Sequence, residues 1–383
     1  MVKLTWEKKL DISVNFKALK HQFERSFERV NLQLTLDEKA NNITSTQLTL
    51  DEKPNKNTSS DQKWVNLLFW GDNFEVLCYL LNFFEEKIDL LYIDPPFFSG
   101  TDYRIRIEEK NNNYETIAYH DRWKNDLDSY LQMLYERLIL FKQLLSKKGL
   151  FFVHLDWHAS HYMRLILDEV FGQKNFINNI VWYYYNKYSA GKKNLPRAYD
   201  NIIVYSKTSD YTFNKIRIPR KKPIKQLMRK MENGVLKNVK GDDGRVKYRI
   251  VTDKKLDDVW RIPCLQPASK EWTGFPTQKH HDLLERIILL GSNENDLVAD
   301  FFCGSGTTLL AAEKLKRRWI GCDISEYSIY LTLKRIINYR NNIIKTSTLN
   351  TIPFELYSNL TEQRKKILES GFFQKDITIK RKK

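Results

Sequence analysis

From Trp64 onward, short apolar runs alternate with segments whose apolar positions recur at three-to-four spacing. The runs predict strands at 64–70 (WVNLLFW), 88–93 (IDLLYI), 149–155 (GLFFVHL), 177–184 (INNIVWYY), 201–206 (NIIVYS), 296–302 (DLVADFF) and 318–323 (RWIGCD). The spaced segments predict helices at 127–145, 160–170, 280–290, 307–316 and 326–340. Continuous apolar strands alternating with helices are the pattern of an α/β fold, a parallel sheet buried under helices. Ahead of this region, Phe16, Leu19, Phe23 and Phe27 mark a short amphipathic helix within 15–30. The heptapeptide QLTLDEK then occurs at 33–39 and again at 47–53, separated by ANNITST and followed by PNKNTSSDQ, which reads as a polar, low-complexity linker. Residues 207–265 have few long apolar runs and interrupt the alternation, so they read as an insertion or small subdomain.

Charge sharpens this picture. The chain of 383 residues carries a formal charge of +16, the mark of a polyanionic partner. Most of that surplus is local: residues 214–249 hold 13 Lys and Arg against three acids, and 375–383 hold five bases against Asp376. The rest is nearly neutral. With 42% hydrophobic residues, collagen-like and disordered classes are excluded. Four dispersed cysteines without a CxxC pair fit a reducing compartment and neither a disulfide scaffold nor a zinc knuckle. No apolar run approaches the roughly 20 residues that span a bilayer, and the start lacks a signal-peptide pattern. A cytoplasmic protein without a membrane role is the expectation.

Two motifs carry chemistry. Strand 88–93 ends in Asp94-Pro95-Pro96-Phe97, where ligands of open α/β sheets bind, beyond the carboxyl ends of strands. The prolines fix the turn and supply carbonyl acceptors without competing donors, Asp94 adds a carboxylate, and Phe97 adds an aromatic face. Such a turn can accept hydrogen bonds from an exocyclic amine and stack its ring. The second motif is Asp300-Phe301-Phe302-Cys303-Gly304-Ser305-Gly306-Thr307-Thr308, a strand running through a glycine turn into a helix. Glycines allow close approach of a cofactor, and the helix start offers free N–H groups. Asp323 closes the next strand, 17 residues past Gly306, where an acid can hold a ribose. Leu309 breaks the dinucleotide pattern GxGxxG, and no Walker motif is present.

In this order the two motifs resemble those of S-adenosylmethionine-dependent DNA amino-methyltransferases of the beta group, over about residues 64–340. Gly71-Asp72-Asn73, His154-Leu155-Asp156 and Pro276-Thr277-Gln278-Lys279 add to the likeness. The resemblance implies a Rossmann-like methyltransferase sheet with helices on both faces, a circularly permuted motif order and a small basic target-recognition insertion. It divides the chain into an N-terminal extension (1–63), a catalytic half (64–206), a target-recognition region (207–265), a cofactor half (266–345) and a C-terminal extension with a basic tail (346–383).

The implied cofactor is S-adenosyl-L-methionine. Thr277, Gln278, Lys279, Phe302, Gly304 and Gly306 would hold its methionine part, Asp323 the ribose and Asp72 the adenine end, with Asp300 in the same motif. Phe301 and His280 stand where the family commonly has proline. Asp94, Pro95, Pro96 and Phe97 would form the catalytic set. Asp94 and the Pro95 carbonyl accept hydrogen bonds from the amine of an extruded base, and Phe97 stacks on it. The implied substrate is double-stranded DNA, which would be contacted through Lys215, Arg217, Arg220, Lys221, Lys222, Lys225, Arg229 and Lys230. Aspartate in the first motif favours adenine N6 as the acceptor. The alternatives are cytosine N4, a DNA- and cofactor-binding protein without turnover, and an RNA substrate. A cognate restriction endonuclease is a candidate partner, and the chain is expected to be a monomer or homodimer. The segment HLDWHASH (154–161) is read as part of a strand end without metal, and Trp182 to Tyr185 as core and sheet face.

Overall fold

The protein is represented by a computed structural model that describes residues 4–6, 9, 16–37, 42–51, 64–109, 112–123, 126–187, 193–346, 352–370, 372–374 and 377–381. In chain order its strands are β1 (Glu28–Asp37), β2 (Asn42–Asp51), β3 (Asn66–Trp70), β4 (Ile88–Ile93), β5 (Tyr103–Glu109), β6 (Asn112–Tyr119), β7 (Leu145–Leu155), β8 (Phe176–Tyr183), β9 (Tyr199–Ser206), β10 (Arg217–Leu227), β11 (Arg229–Glu232), β12 (Val235–Asn238), β13 (Tyr248–Lys255), β14 (Val259–Arg261), β15 (Leu297–Asp300), β16 (Arg318–Asp323), β17 (Phe354–Ser358) and β18 (Ile377–Arg381). The helices are α1 (Phe16–Phe23), α2 (Asn73–Leu80), α3 (Leu127–Leu144), α4 (Ser160–Leu167), α5 (His281–Gly291), α6 (Thr307–Lys314), α7 (Glu326–Thr346) and α8 (Glu362–Glu369).

An 11-stranded sheet runs β14-β8-β9-β7-β4-β15-β16-β3-β17-β1-β2. From β7 to β17 every neighbouring pair is parallel. The sheet as a whole is mixed, because β9 lies antiparallel between β7 and β8 and β1 lies antiparallel to both β17 and β2. Strands β15 and β16, from late in the chain, sit between β4 and β3 from its early part. The glycine motif is thereby brought beside the Asp-Pro-Pro turn.

The strands read as continuous apolar runs because both of their faces are covered. In β4, Leu90 and Tyr92 enter one core with Leu283, Ile287, Leu309 and Ile329 of α5, α6 and α7. Leu91 and Ile93 enter the other with Val76, Leu134, Leu138 and Met163 of α2, α3 and α4, and Ile88 joins them because the register shifts between Ile88 and Leu90. The period of two along a strand sorts alternate residues between these layers. Each fully buried leucine adds about 1.5–3 kcal/mol. Helix boundaries follow local chemistry. Asp72 and Asp126 cap α2 and α3 by accepting from the amides of Phe74 and Ser129, and His280 caps α5 by accepting from that of Asp282. Among the described residues no helix is long and apolar enough to cross a membrane.

The structure departs from the expected pattern at both ends of the chain. Part of the expected linker is a β1–β2 antiparallel pair on the sheet edge, so the polar repeat contributes backbone pairing; residues 52–63 lie outside the described residues. The amphipathic helix stops at Phe23, and Phe27 and Val30 continue into the core from the approach to β1 and from its start. The segment after 346 is built into the fold: β17 pairs with β3, and β18 pairs with β5. Strands β5 and β6 were not expected. Their signal lay in Arg104-Ile105-Arg106-Ile107, whose isoleucines are buried and whose arginines are exposed.

Candidate active site

Four adjacent parallel strands, β4, β15, β16 and β3, end at one edge, and the loops beyond them line a cavity of about 530 Å³. Such a volume suits a nucleoside-sized ligand. Register brings the motifs together: Asp300 pairs with Tyr92, two residues before Asp94, and Asp323 pairs with Trp70, two residues before Asp72. All four aspartates line the cavity.

The Asp-Pro-Pro turn is held from behind. Tyr130 of α3 donates its hydroxyl to the Pro96 carbonyl at 2.8 Å. Buried Asp121 accepts from the amides of Phe98 and Ser99, at 2.8 and 2.9 Å, and fixes Phe98 at φ +61°. Asp94 Oδ2 accepts from the Lys279 ammonium, whereas Oδ1 is buried without a hydrogen-bond partner. Lys279 Nζ also stands 5.3 Å from the centre of the Phe97 ring. Behind Phe97, fully buried His154 reaches Tyr92 Oη at 3.0 Å and Asp200 at 3.3 Å. The remaining histidines of that segment diverge: His158 pairs with Asp156, and His161 is exposed.

On the glycine side, Gly304 and Gly306 adopt φ +51° and +74°, and Gly306 precedes the first turn of α6. A Cβ on Gly306 would lie 2.5 Å from Thr332 Oγ1, so this turn requires glycine. Asp323 accepts from the Gly304 amide at 2.8 Å and from that of Ser325 at 2.9 Å. Burial nevertheless pushes its carboxyl upward. Asp300 faces inward, accepting from the Phe302 amide and the Thr308 hydroxyl, and burial pushes its pKa up to about 7. Phe301, at the position where proline is common, stacks on Phe141 in the core and leaves the neighbouring Phe302 at the cavity. Burial also raises the thiols of Cys303 and Cys322, which marks them as packing residues rather than nucleophiles.

The Thr277-Gln278-Lys279 segment lines the same cavity. Thr277 has φ +61° and is bridged at 3.1 Å to Tyr119 of β6, whose ring stacks on Tyr103. Gln278 is committed to its own loop, accepting from Thr273 and donating to the Glu271 carbonyl. Asp72 forms an ion pair at 3.3 Å with buried Arg137, which also donates to Asn73. Asn73 in turn donates to the Phe301 carbonyl and ties the start of α2 to the glycine motif. Tyr119, Asp121, Tyr130 and Asp200 went unrecognised from sequence as site residues because each is an isolated polar group whose partner lies far along the chain.

Most of the basic region forms two antiparallel strand pairs outside the large sheet, β10–β13 with the β11–β12 hairpin between them in the chain, while β14 joins the large sheet beside β8. Lys215, Lys221, Lys222, Lys225, Arg229 and Lys230 are exposed. Several charges are already paired: Arg217 chelates Asp253 at 2.6 and 2.7 Å, and Arg220 donates to the Asp253 carbonyl. Lys230 and Lys237 share Glu232, at 2.5 and 3.3 Å. Among the described residues, Lys221, Lys222 and Lys225 have no acidic partner within ion-pair distance. In the aromatic run, Trp182 and Tyr184 are buried, while Tyr183 and Tyr185 face out beneath the Arg261 guanidinium.

A family model described as DNA methylase matches residues 88–334. Similar proteins include the type II methyltransferase M.EcaI of Enterobacter cloacae, 28% identical over 324 residues that cover 70% of this chain and 69% of that protein. The type II methyltransferase M1.MboII of Moraxella bovis is 33% identical over 250 residues, 63% of this chain and 85% of that one. The DNA adenine methyltransferase YhdJ of Escherichia coli is 28% identical over 260 residues, 66% and 76% of the two chains. Among solved structures, a complex of M1.HpyAVI with SAM aligns over 70% of this chain and 98% of its own, with 19% identity and a TM-score of 0.44.

Proposed function

Because the chain belongs to the DNA methylase family, matched over residues 88–334, we propose that it methylates the exocyclic N6 amine of a flipped-out adenine in double-stranded DNA, with S-adenosyl-L-methionine as donor. The observation that carries this reading is Asp94. Its carboxylate sits beside Phe97 in the cavity that also holds the glycine turn. Its Oδ1 stands 3.9 Å from buried His154 Nδ1, and its Oδ2 accepts from Lys279, which lines the same cavity, so Oδ2 is the oxygen a donor on the ligand side would meet.

The residues present fit the cofactor. Gly304, Gly306 and the start of α6 leave a backbone cradle without side chains, and Asp323 and Asp72 project acceptors into the same space. When bound, S-adenosyl-L-methionine would supply an electrophilic methyl group. Asp94 and the Pro95 carbonyl would accept from the two amine hydrogens, which localises the nitrogen lone pair and stabilises positive charge as the N–C bond forms and the methyl–sulfur bond breaks, one of these N–H protons then leaving to give the neutral methylamine. Phe97 would hold the ring. Tyr130 and Asp121 keep this turn rigid, so little reorganisation accompanies the reaction. Aspartate at position 94, together with the adenine activity named for the relative YhdJ, favours adenine over cytosine.

Asp94→Ala is expected to abolish methyl transfer to DNA while calorimetry still detects cofactor binding. Undiminished transfer would overturn the role given to Asp94. Nucleoside analysis of DNA from expressing cells is expected to find N6-methyladenine, and finding only N4-methylcytosine would overturn the choice of base.

A further inference from the structure

The lysine assigned to the cofactor and the aspartate assigned to the base touch each other. Lys279 donates to Asp94 Oδ2 and, at 3.3 Å, to the Thr277 carbonyl, with its ammonium 5.3 Å from the centre of the Phe97 ring. An acceptor carboxylate and an aromatic face are the two groups that the proposed reaction offers to the target amine and its ring. In this structure the Lys279 ammonium lies on the oxygen and beside the ring that the proposed reaction assigns to the amine. Both side chains are largely removed from solvent, Lys279 at 9% exposure and Asp94 at 17%.

A charged donor holds a carboxylate more tightly than a neutral amine does, because charge-assisted hydrogen bonds are roughly twice as strong as neutral ones. A flipped base therefore cannot displace Lys279 unaided. Nor can the lysine leave for an apolar site, since separating a buried pair without a replacement partner is strongly unfavourable. It needs a second anion within the same cavity. The amino-acid carboxylate of S-adenosyl-L-methionine is such an anion, and Lys279 shares its cavity with Thr277, Phe302 and Gly304.

We propose that Lys279 is a positioning residue that exchanges Asp94 for the cofactor's carboxylate, so that cofactor binding vacates the seat of the target amine. The proposal rests on the cofactor and active-site reading given above. One ammonium then couples the two sites, and the coupling is reciprocal: whatever removes Asp94 as a competitor must tighten the cofactor.

That consequence can be measured on the 383-residue chain without DNA or turnover. Two probes are titrated by calorimetry: S-adenosylhomocysteine, which carries the carboxylate, and 5′-methylthioadenosine, which has the same nucleoside and thioether but no carboxylate. Asp94→Asn keeps the shape of the side chain and removes its charge. It is expected to bind S-adenosylhomocysteine roughly tenfold more tightly than the parent, within the usual range of coupling between sites, and to leave methylthioadenosine within about twofold of the parent, as a carboxylate-specific coupling requires. In a Lys279→Met background, Asp94→Asn should have no effect on either probe. Lys279→Gln serves as the second background if thermal melting shows the methionine variant to be unfolded. Unchanged or weaker S-adenosylhomocysteine binding in Asp94→Asn would overturn the exchange. An equal gain for both probes, or a gain that persists without Lys279, would do the same. Absence of methylated DNA in expressing cells would instead count against the proposed reaction. Failure of every form to bind S-adenosylhomocysteine would remove the cofactor reading and the exchange with it.

Discussion

Asp300 shows how one buried carboxyl can tie stability to pH. Its pKa is pushed up to about 7, chiefly by burial and further by the nearby charges of Asp94 and Asp323, while bonds from Thr308 and the Phe302 amide oppose the shift. The unfolded chain would titrate near the ordinary value of 3.8. Between these values the folded state binds the extra proton, so this group's contribution is fully present below about pH 4 and is lost as pH rises through about 7. Asp300→Asn, which cannot ionise, is expected to remove that part of the pH dependence. Melting temperatures of parent and variant measured from pH 4.5 to 7.5 should converge at the acid end and diverge, with the variant higher, toward neutrality. Parallel curves would mean that Asp300 keeps its charge throughout.

At the scale of elements, the basic insert divides into lysines with different duties. Lys230 and Lys237 are held by Glu232 on the β11–β12 hairpin, whereas Lys221, Lys222 and Lys225 lie on β10 without acidic partners among the described residues. A phosphate contact releases counterions, and each contributes about 0.9 to the slope of log affinity against log salt. Replacing Lys221, Lys222 and Lys225 by glutamine is expected to flatten that slope by roughly two to three, since each contact removed takes away about 0.9. The same change at Lys230 and Lys237 should flatten it by less than one, because Glu232 already neutralises part of their charge. Fluorescence anisotropy of labelled duplex DNA across a salt series measures both. Equal slopes per lysine in the two sets would show that pairing with Glu232 does not persist on DNA.

At the scale of the whole molecule, the two ends of the chain are joined through one strand. β17 lies between β3 and β1, so it carries the N-terminal β1–β2 pair on one side and the cofactor side of the sheet on the other. Ser358 also donates to the Trp70 carbonyl, immediately before Gly71 and Asp72. Removing residues from 352 onward would uncover β3 and leave β1 with β2 as its one remaining neighbour in the sheet. Such a truncation is expected to lose cooperative urea unfolding, whereas a mere tail could be cut without effect. A truncated protein with an unchanged midpoint and slope would show that β17 is dispensable.

The sequence alone determined the two-sided burial of the central strands, the positions of Asp94 and Asp323 at strand ends, the glycine turn and the concentration of basic charge at 214–249. These are local properties: apolar period, turn chemistry and charge are written in contiguous residues. Strands 88–93 and 318–323 match the structure residue for residue for that reason. Only the tertiary structure decided what lies beside what. Contacts between residues 34, 185 or 284 positions apart, as in Tyr130 on Pro96, Lys279 on Asp94 or Asn359 on Glu75, leave no periodic trace in the chain. The same holds for β17 and for the polar repeat, which become strands because a neighbouring edge offers unpaired backbone groups. Hydrogen bonding between distant segments, rather than local propensity, fixes their conformation.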